Sequence, residues 1–441
     1  RIRSPLNAAA LGRAIQRLID RHPVLRATFT MGEAGPVQSV AGWCAAAFEV
    51  VEAAGWTEEE LHQQALAEYA RPFDLECGAP LRATLFLRPA TPLHGEDHLL
   101  LLVAHHIVMD GWSLGLFLNE LLAFYAAEHN GAPDVLTPPA ARYADYVDWQ
   151  RRLLAGPEGA RLWSFWQQEL RGELPVLALP TDRPRPSVQM HAGATEPIIV
   201  EAALAQQLRG LARSEGVTLY MLLLAAWQVL LASYAEQEEV LIGSPMAGRS
   251  QAAYGSVVGH FVNMVVLRLR SEGRRPFREH LTHVRSKVLA ALDHQEYPFT
   301  LLVERLQIER DPSRSPIFQV LFDLQKLQRF GALAPLFLPH NPGACLSVGG
   351  LTLEPYTFPQ QEGQYDLSLQ LADADEQIVG ALKYSTTLFD PGTIAHMRRA
   401  FLLMLEKIVD NPALPIEELG LAVATMDLNL FLTHLRKLDI K

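Results

Sequence analysis

The apolar positions of the chain fall into two periods. Leu11, Ile15 and Leu18 share one helical face and predict a helix over 7–21, with Asn7 as N-cap. Pro23 bars its continuation, and 24–30 reads as a strand. Residues 58–69 read as a helix, and 81–88 alternate like a strand. The run from Leu99 to Ala104 is apolar at every position, which predicts a strand packed on both faces. Leu114, Phe117, Leu118, Leu121, Leu122 and Tyr125 then recur at helical spacing, so a helix follows, with Ser113 as its expected N-cap. Two further helices are predicted over 143–155 and 160–170, anchored by Trp149, Trp163 and Trp166.

Pro180, Pro184 and Pro186 mark a stiff, extended stretch over 179–186, where a lobe boundary is expected. This divides the chain into an N-terminal lobe over 1–178, a C-terminal lobe over 179–425 and a tail over 426–441. The second half alternates strands (195–200, 239–244, 263–270, 318–324, 351–358, 366–372, 377–386) with helices (202–214, 276–294, 391–409). Residues 218–235 carry no charge; with Gln228 inside and no second span, they read as a helix buried between layers rather than a membrane span. In the tail, Leu428, Phe431, Leu432 and Leu435 recur at helical spacing.

At 441 residues the chain is too long for one ordinary core and suits two lobes. A net charge of −11 argues against a nucleic-acid partner. Cys44, Cys77 and Cys345 are scattered, which suits a reducing cytoplasm and neither a disulfide framework nor a zinc site.

The chemistry concentrates where the apolar strand ends. His105, His106, Asp110 and Gly111 stand between it and the following helix. Successive side chains on a strand point to opposite faces, so one histidine can face a cleft while the other faces packing. Imidazoles and helix-start amides together can move a proton and hold a developing negative charge.

His105-His106-Ile107-Val108-Met109-Asp110-Gly111 resembles the HHxxxDG signature of condensation domains of nonribosomal peptide synthetases. Arg21-His22-Pro23-Val24-Leu25-Arg26-Ala27-Thr28-Phe29 resembles RHxxLRTxF, and Tyr143-Ala144-Asp145-Tyr146-Val147-Asp148-Trp149-Gln150 resembles YxDYxxWQ. Val258-Gly259-His260-Phe261-Val262-Asn263-Met264 resembles IGxFVNT, with Arg268 in the family's arginine place. His294-Gln295-Glu296-Tyr297-Pro298-Phe299 resembles HQDYPFE, and Arg310-Asp311-Pro312-Ser313-Arg314-Ser315-Pro316 resembles RDxSRNPL. Six matches stand in the family's order. The family's first motif is missing, so the chain is expected to begin inside the domain. The tail departs from the usual linker to an adenylation domain and resembles a docking helix of synthetase subunit junctions.

The resemblance implies an α/β fold of two chloramphenicol acetyltransferase-like sandwich lobes in a V. Segments of the second lobe would bridge the cleft, with 244–249 and the loop before Asp366 as candidates. The implied reaction joins an acyl or peptidyl thioester on a donor carrier protein to the amino group of an aminoacyl thioester on an acceptor carrier. Both substrates would ride on carrier phosphopantetheine, with no cofactor or metal of the domain's own. The implied partners are these peptidyl carriers and adjoining adenylation and carrier domains, with no nucleic acid or membrane. His106 is the implied reaction-centre residue, Gly111 the implied backbone oxyanion donor, and His105 a structural neighbour. Asp110 is implied to be structural. As a buried carboxylate it requires a guanidinium, expected from Arg268 or otherwise Arg26.

Related families read less well. Plant-type acyltransferases carry a DFGWG motif absent here, and cyclization domains replace the histidines by aspartates. Epimerization domains lack the last two stretches quoted above. Silent recruitment platforms have lost the signature that is intact here. A metal hydrolase would need a third ligand that the spacing does not offer.

Overall fold

The computed structural model describes residues 1–33, 35–90, 95–131, 136–338, 343–358 and 363–420. The proposed docking helix over 426–441 lies outside them. The chain forms two compact units. Of the described residues, the first takes Arg1–Arg152, Ala247–Val262 and Leu327–Phe358; the second takes Leu153–Met246, Asn263–Lys326 and 363–420. The break expected at 179 therefore falls earlier, and two later segments belong to the first unit.

The first unit opens with α1 (Ala8–Arg21), capped by the Asn7 side chain as expected. A 3₁₀ turn at Pro23–Arg26 replaces the start of the expected strand, since proline's fixed φ suits a turn start. The hairpin β1 (Ala27–Gly32) and β2 (Gly35–Val40) follows, then β3 (Phe48–Glu52) and α2 (Glu58–Ala70). A second sheet pairs β3, β4 (Leu81–Leu87) and β5 (Leu99–Ala104) in that order. β5 is apolar throughout because both faces are used. Leu100, Leu102 and Ala104 join the core of α1 and α3 (Gly111–Asn130), while Leu99 and Leu101 pack with Leu61 and Ala65 of α2. Arg82 closes the end of α2 by donating to the carbonyls of Glu68, Arg71 and Pro72, which suits a cation at a helix C-terminus. α4 (Tyr143–Ala155) brings Tyr143 and Tyr146 against Tyr254 and Phe261 of the inserted segment.

The second unit begins at the end of α4 and runs through α5 (Pro157–Glu169), β6 (Gly193–Val200), α6 (Ala202–Ser214) and α7 (Leu219–Ala235). Next come β7 (Glu239–Met246), β8 (Asn263–Arg270), α8 (Phe277–Asp293), α9 (Phe299–Leu306) and β9 (Val320–Lys326). The chain then forms the small hairpin of β10 (Leu346–Val348) and β11 (Leu351–Leu353) in the first unit. It ends with β12 (Leu367–Ala374), β13 (Gln377–Ser385) and α10 (Pro391–Asp410). The sheet order is β6-β13-β12-β9-β7-β8, parallel only where β9 meets β12 and β7. α6, α7, α8 and α10 pack on it.

The uncharged helix α7 is the centre of this layer, with every residue from 221 to 232 buried. Among the described residues no single helix is long and apolar enough to cross a membrane; the bent pair α6 and α7, at 104°, matches by length and composition only. The proline-rich stretch is strapped down rather than free. The Asp182 N–H donates to the Leu388 carbonyl, and Arg185 pairs with the buried Asp366.

Candidate active site

At the end of β5 the backbone leaves the sheet through a 3₁₀ turn, His106–Val108, and enters α3 at Gly111. The corner puts the two histidines to different uses. His105 accepts from the Ile107 N–H through Nδ1 (3.1 Å), and its ring meets Phe73 edge-on at 5.8 Å. His106 is exposed on the wall of a cavity of about 300 Å³, floored by Leu81, Leu102, Ala104, Leu114 and Phe117, with Gly111 on its rim. Its Nδ1 lies 2.7 Å from the Met109 carbonyl oxygen. A carbonyl only accepts, so Nδ1 carries the proton and Nε2 keeps a lone pair.

Asp110, not Ser113, is the N-cap of α3. Its Oδ1 accepts from the Ser113 N–H at 2.7 Å. A carboxylate is the stronger acceptor at the positive end of a helix. The Ser113 hydroxyl instead donates to the Gly259 carbonyl (2.8 Å) and accepts from the Gly259 N–H (3.0 Å). Gly111 is the first helical residue, so its N–H has no partner in the preceding turn.

The arginine expected beside Asp110 is present, but it is neither Arg268 nor Arg26. Arg249 lies 3.2 and 3.3 Å from the two Asp110 oxygens and also reaches the Ser113 hydroxyl at 2.7 Å. Both charged side chains are almost fully buried. The Phe261 N–H completes the carboxylate's shell at 3.0 Å. Arg249 further donates to the carbonyls of Tyr254 and Val257 and lies 3.9 Å over the Phe261 ring. Burial pulls its guanidinium below the usual range, and Asp110 opposes that pull. Arg268 makes a two-pronged pair with Glu239 on the neighbouring strand, at 2.9 Å for each prong. Arg26 is taken up by the carbonyls of Ile19, Asp20 and Ala41 around the end of α1.

Sequence reasoning also missed His260. Its Nδ1 lies 2.8 Å from the His106 carbonyl oxygen and 3.2 Å from His106 Nδ1. Burial first, then the neighbouring His106, holds it below the ordinary imidazole range. The Tyr143 hydroxyl donates to the His260 carbonyl at 2.8 Å, and burial pushes that phenol up to about 12. Arg249 sits in a loop singled out as a bridging candidate and His260 inside a matched motif, but nothing in the spacing shows that either approaches this corner. No group of three or more His, Cys, Asp or Glu among the described residues could hold a metal ion.

The Condensation domain family model matches residues 1–430. The chain belongs to the condensation domain family. This condensation domain is 36% identical over 414 residues to tyrocidine synthase 3 of Brevibacillus parabrevis, covering 94% of this chain and 6% of that protein. It is 33% identical over 425 residues to surfactin synthase subunit 1 of Bacillus subtilis (strain 168), covering 96% and 11%. It thus spans a small part of these relatives' length. Among solved structures it resembles a four-domain nonribosomal peptide synthetase bound to AMP and glycine, with a TM-score of 0.82 and 25% identity over 92% of this chain and 30% of that one. It equally resembles the X-domain from teicoplanin biosynthesis, with a TM-score of 0.80 and 25% identity over 94% and 90%. The α/β fold class read from the sequence holds.

Proposed function

We propose that this condensation domain forms an amide between a carrier-bound acyl or peptidyl thioester and the amino group of a second, carrier-bound aminoacyl thioester. The observation that carries this reading is the state of His106. Its Nδ1–H is committed to Met109, and its Nε2 lone pair is left at the cavity beside the start of α3. An α-amino group has a pKa of about 7.7–8.0, so a usable fraction is neutral near pH 7. His106 Nε2 accepts a hydrogen bond from that amine and orients it. The nitrogen attacks the thioester carbonyl, the carbon–nitrogen bond forms, and the oxyanion is held by the Gly111 N–H. The carbon–sulfur bond then breaks, and the donor phosphopantetheine leaves as a thiolate that takes the proton released from nitrogen through His106.

The partners in this reading are donor and acceptor carriers and the adenylation and carrier domains of a synthetase, and the setting is the cytoplasm. Substrates arrive on carrier phosphopantetheine, and the domain holds no cofactor of its own. His105, Asp110 and Arg249 build the corner without touching substrate.

A recruitment-platform reading draws on the likeness to the X-domain, which has also been solved in a complex with OxyB. A two-carrier assay with defined thioesters, followed by intact-protein mass spectrometry, separates the two. The expected result is an acceptor carrier heavier by the donor acyl group and a donor carrier returned as free thiol. Gly111→Leu should block transfer by placing a side chain on the cavity rim while the fold persists. No transfer with any thioester pair, or undiminished transfer by Gly111→Leu, would overturn the assignment.

A further inference from the structure

Gly259, His260 and Phe261 run beside the corner that carries His106, and each bonds to it. Gly259 accepts from the Asp110 N–H at 3.1 Å and from the Ser113 hydroxyl, and Phe261 donates to Asp110. These bonds serve Asp110 and Ser113. His260 is turned on His106 instead. A carbonyl oxygen only accepts, so His260 carries its proton on Nδ1 and donates it to the His106 carbonyl at 2.8 Å. The two rings meet edge-on with centroids 4.9 Å apart. Each Nδ1–H already points at a carbonyl, so the 3.2 Å contact between the nitrogens is packing and not a further bond.

This matters because the segment under His106 is a three-residue 3₁₀ turn. Such turns have poor hydrogen-bond geometry and little stability of their own. The direction of the His106 ring rests on its bond to Met109 from one side and on the hold on its carbonyl from the other. His260 stays neutral near pH 7, because burial and His106 both disfavour its charged form. Its Nδ1–H is therefore constant.

We infer that His260 is a positioning residue that fixes the His106 turn and so keeps the Nε2 lone pair of His106 aimed into the cavity. The inference rests on the amide-forming role proposed for His106. His260→Leu removes the donor and keeps the bulk. His260→Asn keeps a donor nitrogen attached to Cγ, as Nδ1 is. In the two-carrier assay His260→Leu should lower kcat about 10–100-fold, the scale expected when a reacting group is misplaced by an ångström or less. The KM for the acceptor carrier and the Tm should stay near wild type, and His260→Asn should regain most of the loss.

Full kcat in His260→Leu would overturn the inference. So would a folded His260→Asn as slow as His260→Leu, or a kcat loss that tracks a fall in Tm. Proton NMR of the His106 Nδ1–H supplies a readout that needs no turnover. That signal should be protected in wild type and His260→Asn and lost in His260→Leu. An unchanged signal in His260→Leu would overturn the positioning role, even if the wild-type protein formed no amide and the proposed function fell.

Discussion

His106 and Asp110 answer to different needs, and substitution should separate them. His106 is exposed on the cavity wall, so His106→Ala removes little packing. It should stay folded while amide formation drops by about 10²–10⁴-fold, the usual contribution of a positioned acid–base group. A stopped-time mass-spectrometric assay beside a thermal melt checks both halves. Asp110→Ala should do the reverse. It strands the buried Arg249 charge and uncaps α3. Loss of one partner of a buried pair costs about 3–5 kcal/mol. Urea titration should show that loss, and activity should disappear together with structure. A stable but inactive Asp110→Ala would give the carboxylate a direct part in the chemistry. The need of Asp110 for a guanidinium was legible, because a carboxylate at the end of a core strand cannot stay bare. The identity of the guanidinium was not. Arg249 lies 139 residues further along, and spacing in sequence carries no information about that approach.

At the scale of elements, legibility followed length and periodicity. α1, α3, α7 and α10 show sustained apolar faces or runs and were readable. The hairpin of β1 and β2 was not, since every residue of β2 after Gly35 is exposed and no alternation survives. α9 has eight residues, too few to show a period. The strand expected over 351–358 stops at Leu353, two residues before Pro355, which cannot donate to a ladder. Gly259 passes so close to α4 that an added Cβ would lie 2.2 Å from a Tyr143 ring carbon. Gly259→Ala should therefore push the 259–261 segment off the corner, lowering both Tm and condensation. An unshifted Tm would show that the ring yields instead. On α8, His280 is buried, its Nε2 has no hydrogen-bond partner among the described residues, and burial followed by His283 lowers its pKa to about 3. The unfolded chain binds this proton near pH 6.5 and the folded chain does not. Stability from His280 is thus intact above pH 6.5 and falls as pH drops, by about 1.4 kcal/mol per unit. Between pH 6.5 and 5 the wild type should lose about 2 kcal/mol more than His280→Leu in parallel urea titrations. Parallel pH dependence in the two proteins would refute the assignment.

Over the whole molecule, the α/β class was readable from alternating elements, while the division into units was not. The proline-rich stretch invited a boundary at 179, yet Leu162 and Trp166 before it already belong to the second unit's core. Residues 247–262 return to the first unit because they answer needs created there: Asp110 for Arg249 and the Phe261 N–H, and Ser113 for the Gly259 backbone. Those needs are buried polar groups, and they become visible only once the corner is built. His105 and His106 are adjacent in sequence and the His260 ring meets that of His106, which invites a metal hypothesis. All three imidazoles are engaged through Nδ1: His105 accepts a backbone N–H there, so its Nε2 carries the proton, while His106 and His260 donate to backbone carbonyls and keep their Nε2 lone pairs, two ligands where a metal site takes three or more. The nearby Asp110 oxygens are both engaged, with Ser113, Phe261 and Arg249 around them. A cation drawn to that carboxylate would have to displace a buried guanidinium, leaving one charge unpaired at a cost of several kcal/mol. Catalysis is therefore expected to rest on His106 Nε2 and backbone donors alone. Condensation should survive exhaustive dialysis against EDTA at an unchanged rate, followed by mass spectrometry of the acceptor carrier. Loss of activity on chelation with recovery on Zn²⁺ would instead place a metal in the reaction and overturn the role given to His106.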